Sequence, residues 1–393
     1  MRLGLYHEPV HTDGRTYDTY GSFARYVEEF ARHFDEVIVF APTTDRPTYY
    51  SGAPLDRPNI RVAPLPYFET HAQAYRRVFE IRRVFRRYAD SLDLINARGT
   101  APLAYMLWWL TRKRDVPLLY HFASDPFEAI ARNEKYRGWY GAFARTAYGL
   151  EFAIQRHILR RNYGFASGRP LYERLRAHTE NVGFIVDSCL QDADYHLRED
   201  CCRGPVIRVL YVGYLRHGKG LEDLVASLAI LRQQGRDVVL DLVGSGERRA
   251  DLEAQASAAG VREHVNFAGY VKMGPELNAY YNNADIFALP SLSEGSPRVI
   301  IEALGHSLPV VATDVGNIAE QLGQGQRGVL VPMNDPAGLA AGLGRVIDDA
   351  EFRQQCIRTG YAYAREHNLE GFVARMAQKG RELVQQRQRS PGP

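Results

Sequence analysis

Residues 285–316 read "DIFALPSLSEGSPRVIIEALGHSLPVVATDVG". The stretch starts with a short apolar run, 285–290, which is typical of a buried strand, and a second such run follows at 309–314. Between them, a Gly-Ser-Pro turn leads into "RVIIEAL", whose apolar positions have helical spacing. A strand, a helix and a second strand in this order form a βαβ unit, in which the strands pair in parallel. The stretch therefore predicts a parallel α/β fold.

The same alternation of apolar runs and helix-like segments continues through most of the chain. Helical periodicity occurs, among other places, at 20–33, 73–90, 101–113 and roughly 367–387. Two successive sets of strands are predicted, and we therefore expect two Rossmann-like, doubly wound α/β domains. The first set is "LGLY" (3–6), "EVIVFA" (36–41), "LDLINA" (92–97), "PLLYHF" (117–122) and "NVGFIV" (181–186). The second set is "IRVLYVG" (207–213), "DVVLDLVG" (237–244), "HVNFAGY" (264–270), "DIFALP" (285–290) and "PVVATD" (309–314).

Residues 187–205 form a charged stretch that has neither the helical nor the strand periodicity of apolar residues. This stretch separates the two sets of strands. We expect an N-terminal domain at 1–186, a linker at 187–205 and a C-terminal domain at 206–366. The last helix and tail, 367–393, are expected to pack back on the N-terminal domain. A chain of 393 residues is long enough for two such cores. Because doubly wound sheets bind ligands beyond the carboxyl ends of their strands, a cleft between the two facing domains is the expected site.

Composition limits the class of protein. Apolar residues make up 45% and charged residues 24% of the chain, and the net charge is +3, as in ordinary globular proteins. The four cysteines show no Cys-x-x-Cys spacing and are too few for a disulfide framework, which favours a reducing compartment. The most apolar run, 101–110, has half the length needed to span a bilayer, and the N-terminus lacks the pattern of a signal peptide. These features predict a cytoplasmic protein.

The N-terminal half is locally basic, with 19 Arg or Lys against nine Asp or Glu from residue 57 to 163. Within it, "AYRRVFEIRRVFRRYAD" (74–90) has the pattern of a basic amphipathic helix. One interpretation is a core-packed helix with a solvated charged face. The other is peripheral docking on an anionic membrane surface, at the inner face of the cell membrane. A nucleic-acid partner is not expected, because no binding module is recognisable. The helix carries six arginines and the apolar residues Val78, Phe79, Ile81, Val84 and Phe85.

The turn after "DIFALP" has the features of an anion site. Ser296 is a suitable N-cap and Pro297 a favourable first helical residue, so the free N–H groups near Arg298 and Val299 point out of the strand ends. Glu302 lies about 9 Å further along the helix, close to the distance between the phosphates and the ribose of a nucleotide. Glu294 lies before the turn, where a sugar would be. The alternative is that both glutamates are solvated surface charges, but "VIIEAL" surrounds Glu302 with apolar residues.

A second loop, in "RVLYVGYLRHGKGLEDL", has the same strand–loop–helix design. Lys219 and Arg216 lie close to the start of its helix, where cations can neutralise a leaving diphosphate. Gly218 and Gly220 allow close approach of the backbone. A solvated lysine is the ordinary alternative. No Asp-x-Asp lies beside a plausible diphosphate loop, so we expect neither a metal nor another cofactor.

These motifs together resemble retaining glycosyltransferase family 4, whose members use nucleotide sugars and have the GT-B fold of two Rossmann-like domains. The similar stretches are the two glutamates eight positions apart in "EGSPRVIIEAL", "GYV…AYYNNADIFALPS" and "VGYLRHGKGLEDL", and the resemblance is strong over 207–335. It implies that Glu302 binds ribose hydroxyls, that Glu294 binds sugar hydroxyls and that Lys219 binds the diphosphate. It also implies backbone contacts to the donor from Gly21, Tyr270, Val271, Gly295, Ser296, Pro297, Arg298 and Val299.

The sequence departs from the family pattern at several positions. Tyr214 stands where the family usually has arginine, and Arg216 could supply that charge. Ser22 replaces a second glycine near the diphosphate. The family histidine after the fourth N-terminal strand is missing, and His121, two residues earlier, is either its replacement or a core histidine. Asp125, in "SDP", is a candidate contact to donor or acceptor, as is Ser22.

The resemblance implies a metal-independent, retaining hexosyltransferase. Such an enzyme moves a sugar from a nucleotide-diphosphate donor to a glycan or lipid-linked acceptor, and a role in cell-envelope polysaccharide or glycolipid synthesis would fit the basic N-terminal half. In the mechanism commonly described for the family, the leaving phosphate takes the acceptor's proton. Two alternatives stay open. One is a nucleotide-sugar epimerase of the same fold, and the other is a catalytically silent nucleotide-sugar-binding subunit of a glycosyltransferase complex.

Overall fold

The computed structural model describes residues 1–6, 9–46, 52–68, 70–98, 104–123 and 138–389. The chain divides into two compact units. Among the described residues, the first contains those within 1–123, 138–187 and 369–389, and the second contains those within 188–368. Each unit has a sheet whose central strands are parallel, as expected of doubly wound α/β domains, so the predicted fold class of two Rossmann-like domains is confirmed.

The first unit is built on a sheet with the order β10-β9-β8-β7-β1-β4, and β6 pairs with β4; these strands are all parallel. Three short strands, β2, β3 and β5, extend this sheet, with antiparallel pairing from β2 to β3 and from β3 to β5. The strands are β1 (Arg2–Tyr6), β2 (Val10–Thr12), β3 (Tyr17–Thr19), β4 (Glu36–Thr44), β5 (Ala53–Pro54), β6 (Ile60–Leu65), β7 (Leu94–Arg98), β8 (Leu118–Phe122), β9 (Tyr163–Ser167) and β10 (Val182–Ile185). The helices are α1 (Gly21–Ala31), α2 (His71–Arg76), α3 (Val78–Tyr88), α4 (Ala104–Thr111), α5 (Gly138–Leu159) and α6 (Arg169–Arg176).

The second unit has a parallel sheet with the order β13-β12-β11-β14-β15-β16. The strand order reverses between β11 and β14, and this switch point is where a doubly wound sheet opens a crevice for ligands. The strands are β11 (Ile207–Val212), β12 (Val238–Val243), β13 (Val265–Gly269), β14 (Ile286–Leu289), β15 (Val310–Thr313) and β16 (Gly328–Val331). The helices are α7 (Leu221–Gln233), α8 (Arg249–Ala258), α9 (Pro275–Asn283), α10 (Arg298–Gly305), α11 (Ile318–Gln321), α12 (Pro336–Asp348) and α13 (Ala350–Glu366).

The last helix, α14 (Leu369–Arg389), belongs to the first unit, although it follows the second unit in sequence. Its buried residues, among them Phe372, Val373 and Met376, share one apolar cluster with Phe30 and its neighbours in α1. The stretch that we expected to be a linker is packed instead. Asp187 is part of the first unit, and the residues from Ser188 onward belong to the second unit, where Cys189 and Leu190 are buried.

The basic segment that was expected to form one helix is two helices, because the chain leaves helical geometry at Arg77. In α3, Ile81 and Phe85 are buried in the core, whereas the Phe79 side chain is 77% exposed. The segment thus combines a core-facing side with an outward-facing aromatic residue. None of the helices in the described part of the chain has the length and apolar character needed to cross a membrane.

Candidate functional site

The loops that follow β11 and β14 are in direct contact at the switch point of the second unit. Gly220 has a φ of +63°, and a Cβ atom there would lie 2.0 Å from the carbonyl oxygen of Pro290. The Leu292 amide also donates to the carbonyl of Gly218 at 2.8 Å. Only glycine permits both this backbone conformation and this close approach. The contact fixes the lysine loop against the loop that carries Glu294.

Lys219 and Glu294 form an ion pair at this junction. The Lys219 ammonium donates to Glu294 Oε1 at 2.6 Å, and the Ser291 hydroxyl donates to the same oxygen at 2.7 Å. The two side chains of the pair are only 14% and 13% exposed. The structure therefore brings together two charged groups that the sequence placed in separate loops, at the carboxyl ends of neighbouring strands.

Helix α10 begins at Arg298, one residue later than predicted. Pro297 occupies the N-cap position with extended backbone, and no side chain caps the helix, so the predicted roles of Ser296 as N-cap and Pro297 as first helical residue are wrong. The amides at the helix start still have no side-chain cap, which leaves this end suited to an anion. Gly295, Ser296 and Val299 lie in the loop and first turn at this end of the helix.

The loop that follows β15, which was not predicted to be part of the site, contacts the turn before α10. Gly316, after β15, has a φ of +59°, and a Cβ atom there would lie 2.1 Å from the carbonyl oxygen of Glu294. The Asn317 amide donates to Gly295 O at 2.9 Å, and Gln321 Nε2 donates to Pro297 O at 3.2 Å. The turn before α10 is thus held in place by the loop that follows β15 and by α11. The sequence "DVG" at 314–316, at the end of the predicted strand, could have indicated a glycine turn at this position.

Glu302 lies inside the second unit, with only 7% of its surface exposed. Its carboxylate accepts two hydrogen bonds, from the Cys189 thiol to Oε1 at 3.0 Å and from the Tyr281 hydroxyl to Oε2 at 2.8 Å. Burial, and then the charge of Glu302, raise the pKa of the Tyr281 phenol well above its ordinary value, so this hydroxyl keeps its proton and donates. Each carboxylate oxygen retains a second acceptor position. The expectation that Glu302 is a solvated surface charge does not fit this environment.

The ring of Tyr281 stacks on the fully buried ring of His306, with centroids 4.9 Å apart and planes 8° from parallel. His306 Nδ1 and Asn282 Oδ1 are 2.7 Å apart. Burial lowers the pKa of His306 to about 4, so the ring is neutral at physiological pH. A neutral, stacked histidine therefore supports the tyrosine that holds Glu302.

Three other predicted residues of the second unit lie at or near the surface beside the same strand ends. The Arg216 guanidinium lies 5.6 Å from the ring centre of Tyr214, and both side chains are exposed. Tyr270 follows β13 and its side chain is half exposed, with Val271 beside it. These residues border the carboxyl edge of the sheet, where the lysine loop and the α10 turn also lie.

In the first unit, His121 occupies a core position. Its ring is fully buried on β8, 3.0 Å from Ser167 Oγ through Nε2, and packs near the ring of Phe372. This environment favours the core interpretation of His121. Gly21 is the first residue of α1, and Ser22 beside it is buried. Asp125 lies outside the described residues.

The second unit thus presents an ammonium group, an uncapped helix start and a buried carboxylate along one strand edge. The cation and the helix amides can bind a diphosphate, and Glu302 can accept hydrogen bonds from a diol. Among the residues that the structure describes, no cluster of His, Cys, Asp or Glu suited to a metal ion lies at this edge.

Two protein families match this chain. Residues 204–363 match the family described as Glycosyl transferases group 1, and residues 22–164 match Glycosyltransferase Family 4. An uncharacterized glycosyltransferase of Methanocaldococcus jannaschii is 33% identical over 149 residues. That match covers 38% of this chain and only 38% of the relative's length.

Solved structures with the same fold cover nearly the whole chain. A sucrose-phosphate synthase from Thermosynechococcus elongatus has a TM-score of 0.73 at 19% identity, and covers 98% of this chain and 100% of its own. The Anabaena protein HepE, solved in complex with UDP-glucose, has a TM-score of 0.68 at 17% identity, with coverage of 98% and 100%. At such low identity these similarities concern the fold.

Proposed function

Because the chain belongs to the glycosyltransferases of the family 4 type, we propose that it transfers a hexose from a nucleotide-diphosphate sugar to a glycan or lipid-linked acceptor. The observation that carries this proposal is the position of Lys219, Glu294 and the start of α10 at the switch point between β11 and β14. The diphosphate would lie against Lys219 and the amides of the helix start. The ribose would bind Glu302, and the sugar would lie near Glu294.

The proposed reaction needs only charges that this chain supplies. The bond from the sugar's anomeric carbon to the phosphate oxygen breaks while the acceptor's hydroxyl oxygen bonds to that carbon. The departing phosphate takes the hydroxyl proton. Negative charge grows on the diphosphate during this step, so a fixed ammonium and helix amides stabilise the transition state more than the ground state. We propose that the transfer retains the anomeric configuration and proceeds without a divalent ion.

The test starts with a panel of nucleotide sugars and a measurement of released nucleoside diphosphate, with a chelator present. Slow hydrolysis of one donor, accelerated by a glycan or lipid acceptor, is the expected result. Lys219→Ala should lower kcat by about 10²–10³, the usual effect of removing one transition-state donor. Lys379→Ala is a matched control, because Lys379 forms a surface pair with Glu382 in the other unit. Equal turnover in the two lysine variants would refute the role of Lys219.

Glu302→Gln tests the nucleotide site separately, because it removes the charge but keeps the volume. By calorimetry it should weaken nucleoside diphosphate binding by about tenfold or more, as expected for loss of a charged hydrogen-bond acceptor. NMR of the product, starting from a donor of known anomeric configuration, tests retention. Binding that is unchanged in Glu302→Gln would count against the proposed position of the ribose.

A catalytically silent donor-binding subunit is the second candidate. It is favoured by the core position of His121, which leaves this side chain bonded to Ser167, and by Tyr214 at a position where the family resemblance implies arginine. The two candidates differ in turnover and not in binding. Donor binding without any release of nucleoside diphosphate, even with cell-envelope lipid extracts, would support the silent subunit.

For the acceptor side, we propose that α3 docks on an anionic membrane surface. Phe79 is exposed among arginines, and Arg82 lies 5.0 Å from the ring centre of Trp109, whose side chain is also partly exposed. An outward aromatic residue within a basic surface is suited to the headgroup region of a bilayer. Vesicles with anionic lipid should bind the protein in a salt-sensitive manner, and Phe79→Ser should weaken this binding. Leu197→Ser, another exposed apolar residue, is the control.

A further inference from the structure

A second group of reactive side chains lies at the opposite edge of the second unit's sheet. Asp285 directly precedes β14, and its amide donates to the carbonyl of Arg208 near the start of β11 at 2.8 Å. The Cys202 amide donates to Asp285 Oδ1 at 2.7 Å, which places Cys201 and Cys202 beside the same strand start. This edge carries the amino ends of the strands, so the group is separate from the proposed donor site.

The two neighbouring thiols point to the same side of the chain. Successive side chains of an extended backbone point in opposite directions, which would separate two adjacent cysteines. Cys202 instead has a φ of +59°, a left-handed conformation that is uncommon for a residue other than glycine. The two Sγ atoms lie 3.8 Å apart as a result. An uncommon backbone conformation thus brings two soft ligand atoms together.

The spacing of these atoms fits a tetrahedral metal site. With Zn–S bonds of about 2.3 Å, two sulfurs of one tetrahedron are about 3.8 Å apart. The ligand atoms of Cys201, Cys202 and Asp285 all lie within 4.8 Å of one another. The Asp285 oxygens each accept one backbone N–H, from Cys202 and from Arg208 at 2.9 Å, and each keeps another acceptor position for a cation.

The surroundings hold the first cysteine in place. The Cys201 amide donates to Asp200 Oδ1 at 3.0 Å, and Arg353 Nε donates to the same oxygen at 2.7 Å. The side chains of Asp200 and Arg353 are each only 6% exposed. Cys201 is itself buried, whereas Cys202 and Asp285 are partly exposed. The group is therefore both positioned by hydrogen bonds around it and reachable by an ion from solvent.

From this geometry we propose that Cys201, Cys202 and Asp285 bind one thiophilic divalent cation, with Zn²⁺ as the expected ion and water as the fourth ligand. The thiols lose their protons to solvent as the metal binds, so the affinity rises with pH. The bound ion ties the segment before β11 to the start of β14. It stabilises the second unit and takes no part in sugar transfer.

The test uses the reduced, chelator-treated full chain titrated with Cd²⁺, whose thiolate complexes absorb in the ultraviolet. One equivalent should produce this charge-transfer absorption, and Zn²⁺ should displace the Cd²⁺. Cys201→Ser and Cys202→Ser should each weaken Zn²⁺ binding by at least about 100-fold, because loss of an outer-shell partner alone costs 10–100-fold. Cys356→Ser is the matched control, a buried cysteine of the same unit outside this group. It should bind like the natural chain.

Three outcomes would overturn the proposal. They are undiminished Cd²⁺ absorption in Cys201→Ser/Cys202→Ser, an equal loss of binding in Cys356→Ser, and no binding by the natural chain. A trivalent aryl arsenical, which bridges two adjacent thiols, tests the natural chain without substitution and should block Cd²⁺ uptake completely. Saturating Zn²⁺ should raise the melting temperature of the natural chain and the Cys356→Ser control, and should leave Cys201→Ser unchanged.

Discussion

The buried histidine next to the Glu302 network predicts a specific sensitivity to acid. His306 has a pKa of about 4 in the folded chain, against an ordinary value of 6.5, because burial disfavours its charged form. The unfolded chain therefore binds a proton at this residue between these two values, and the folded chain does not. The contribution of the neutral His306 to the free energy of unfolding is fully present above pH 6.5, and it is lost as the pH falls from 6.5 toward 4.

The size of the effect follows from the shift. Each pH unit below 6.5 costs about 1.36 kcal/mol, so a fall to pH 5 removes about 2 kcal/mol through this residue alone. In a domain of 150–250 residues, 1 kcal/mol corresponds to about 2–4 °C in melting temperature, so we expect a loss of about 4–8 °C. Other titrating groups add to the total change with pH, and a variant is needed to separate them.

The variant is His306→Phe, which keeps an aromatic ring against Tyr281 but cannot take a proton. Calorimetry of the full chain at pH 7.5 and pH 5 should show a fall in melting temperature that is about 4–8 °C larger for the natural chain than for His306→Phe. Hydrogen exchange in peptides of α10 identifies the transition of the second unit. His217→Phe, at an exposed position, should behave like the natural chain. An equal fall for all three proteins would refute the assignment of a neutral, buried His306.

Two further predictions concern the site itself. In kinetic assays, Gly316→Ala should lower turnover of the donor at least about tenfold, because its Cβ would collide with the turn before α10. The control is Gly235→Ala, which is also at positive φ but has open space around it. It should leave turnover unchanged and lower the free energy of unfolding, measured by denaturation, by about 1 kcal/mol. Tyr281→Phe removes the hydroxyl that bonds to Glu302 and should raise the dissociation constant of nucleoside diphosphate by about tenfold, since hydrogen bonds to charged groups contribute about 1.5–3 kcal/mol. Tyr195→Phe, which loses a bond to a neutral carbonyl, should not change that constant.

The parallel fold was predictable because the alternation of short apolar runs with segments of helical spacing is a local property of the sequence. β11, β14 and β15 were found in this way, and their order placed the lysine loop and the α10 turn at strand ends. β6, β9 and β16 were not predicted. β9 has five residues and β16 has four, and an apolar run this short cannot be assigned to a strand by periodicity alone. "IRVAPL" of β6 includes a proline, which is uncommon within a strand.

The contacts within the site depend on tertiary structure and could not be predicted. Lys219 and Glu294 are 75 residues apart, and their ion pair exists because Gly220 permits the close approach of two loops. The bond from Cys189 to Glu302 spans 113 residues and starts in a stretch whose charged sequence suggested a free linker. Local patterns thus identified the strand ends that carry chemistry, and packing determined which side chains meet there.

The Lys219–Glu294 pair has a consequence for the proposed binding and release of a nucleotide. An isolated lysine at the switch point would hold a spent nucleotide strongly, and release would then limit the rate. Here the ammonium already has a carboxylate partner, so under the proposed function a diphosphate would exchange one anion for another. After release of the proposed nucleotide product, Glu294 would pair with the ammonium again, so the buried lysine charge would not be left without a partner.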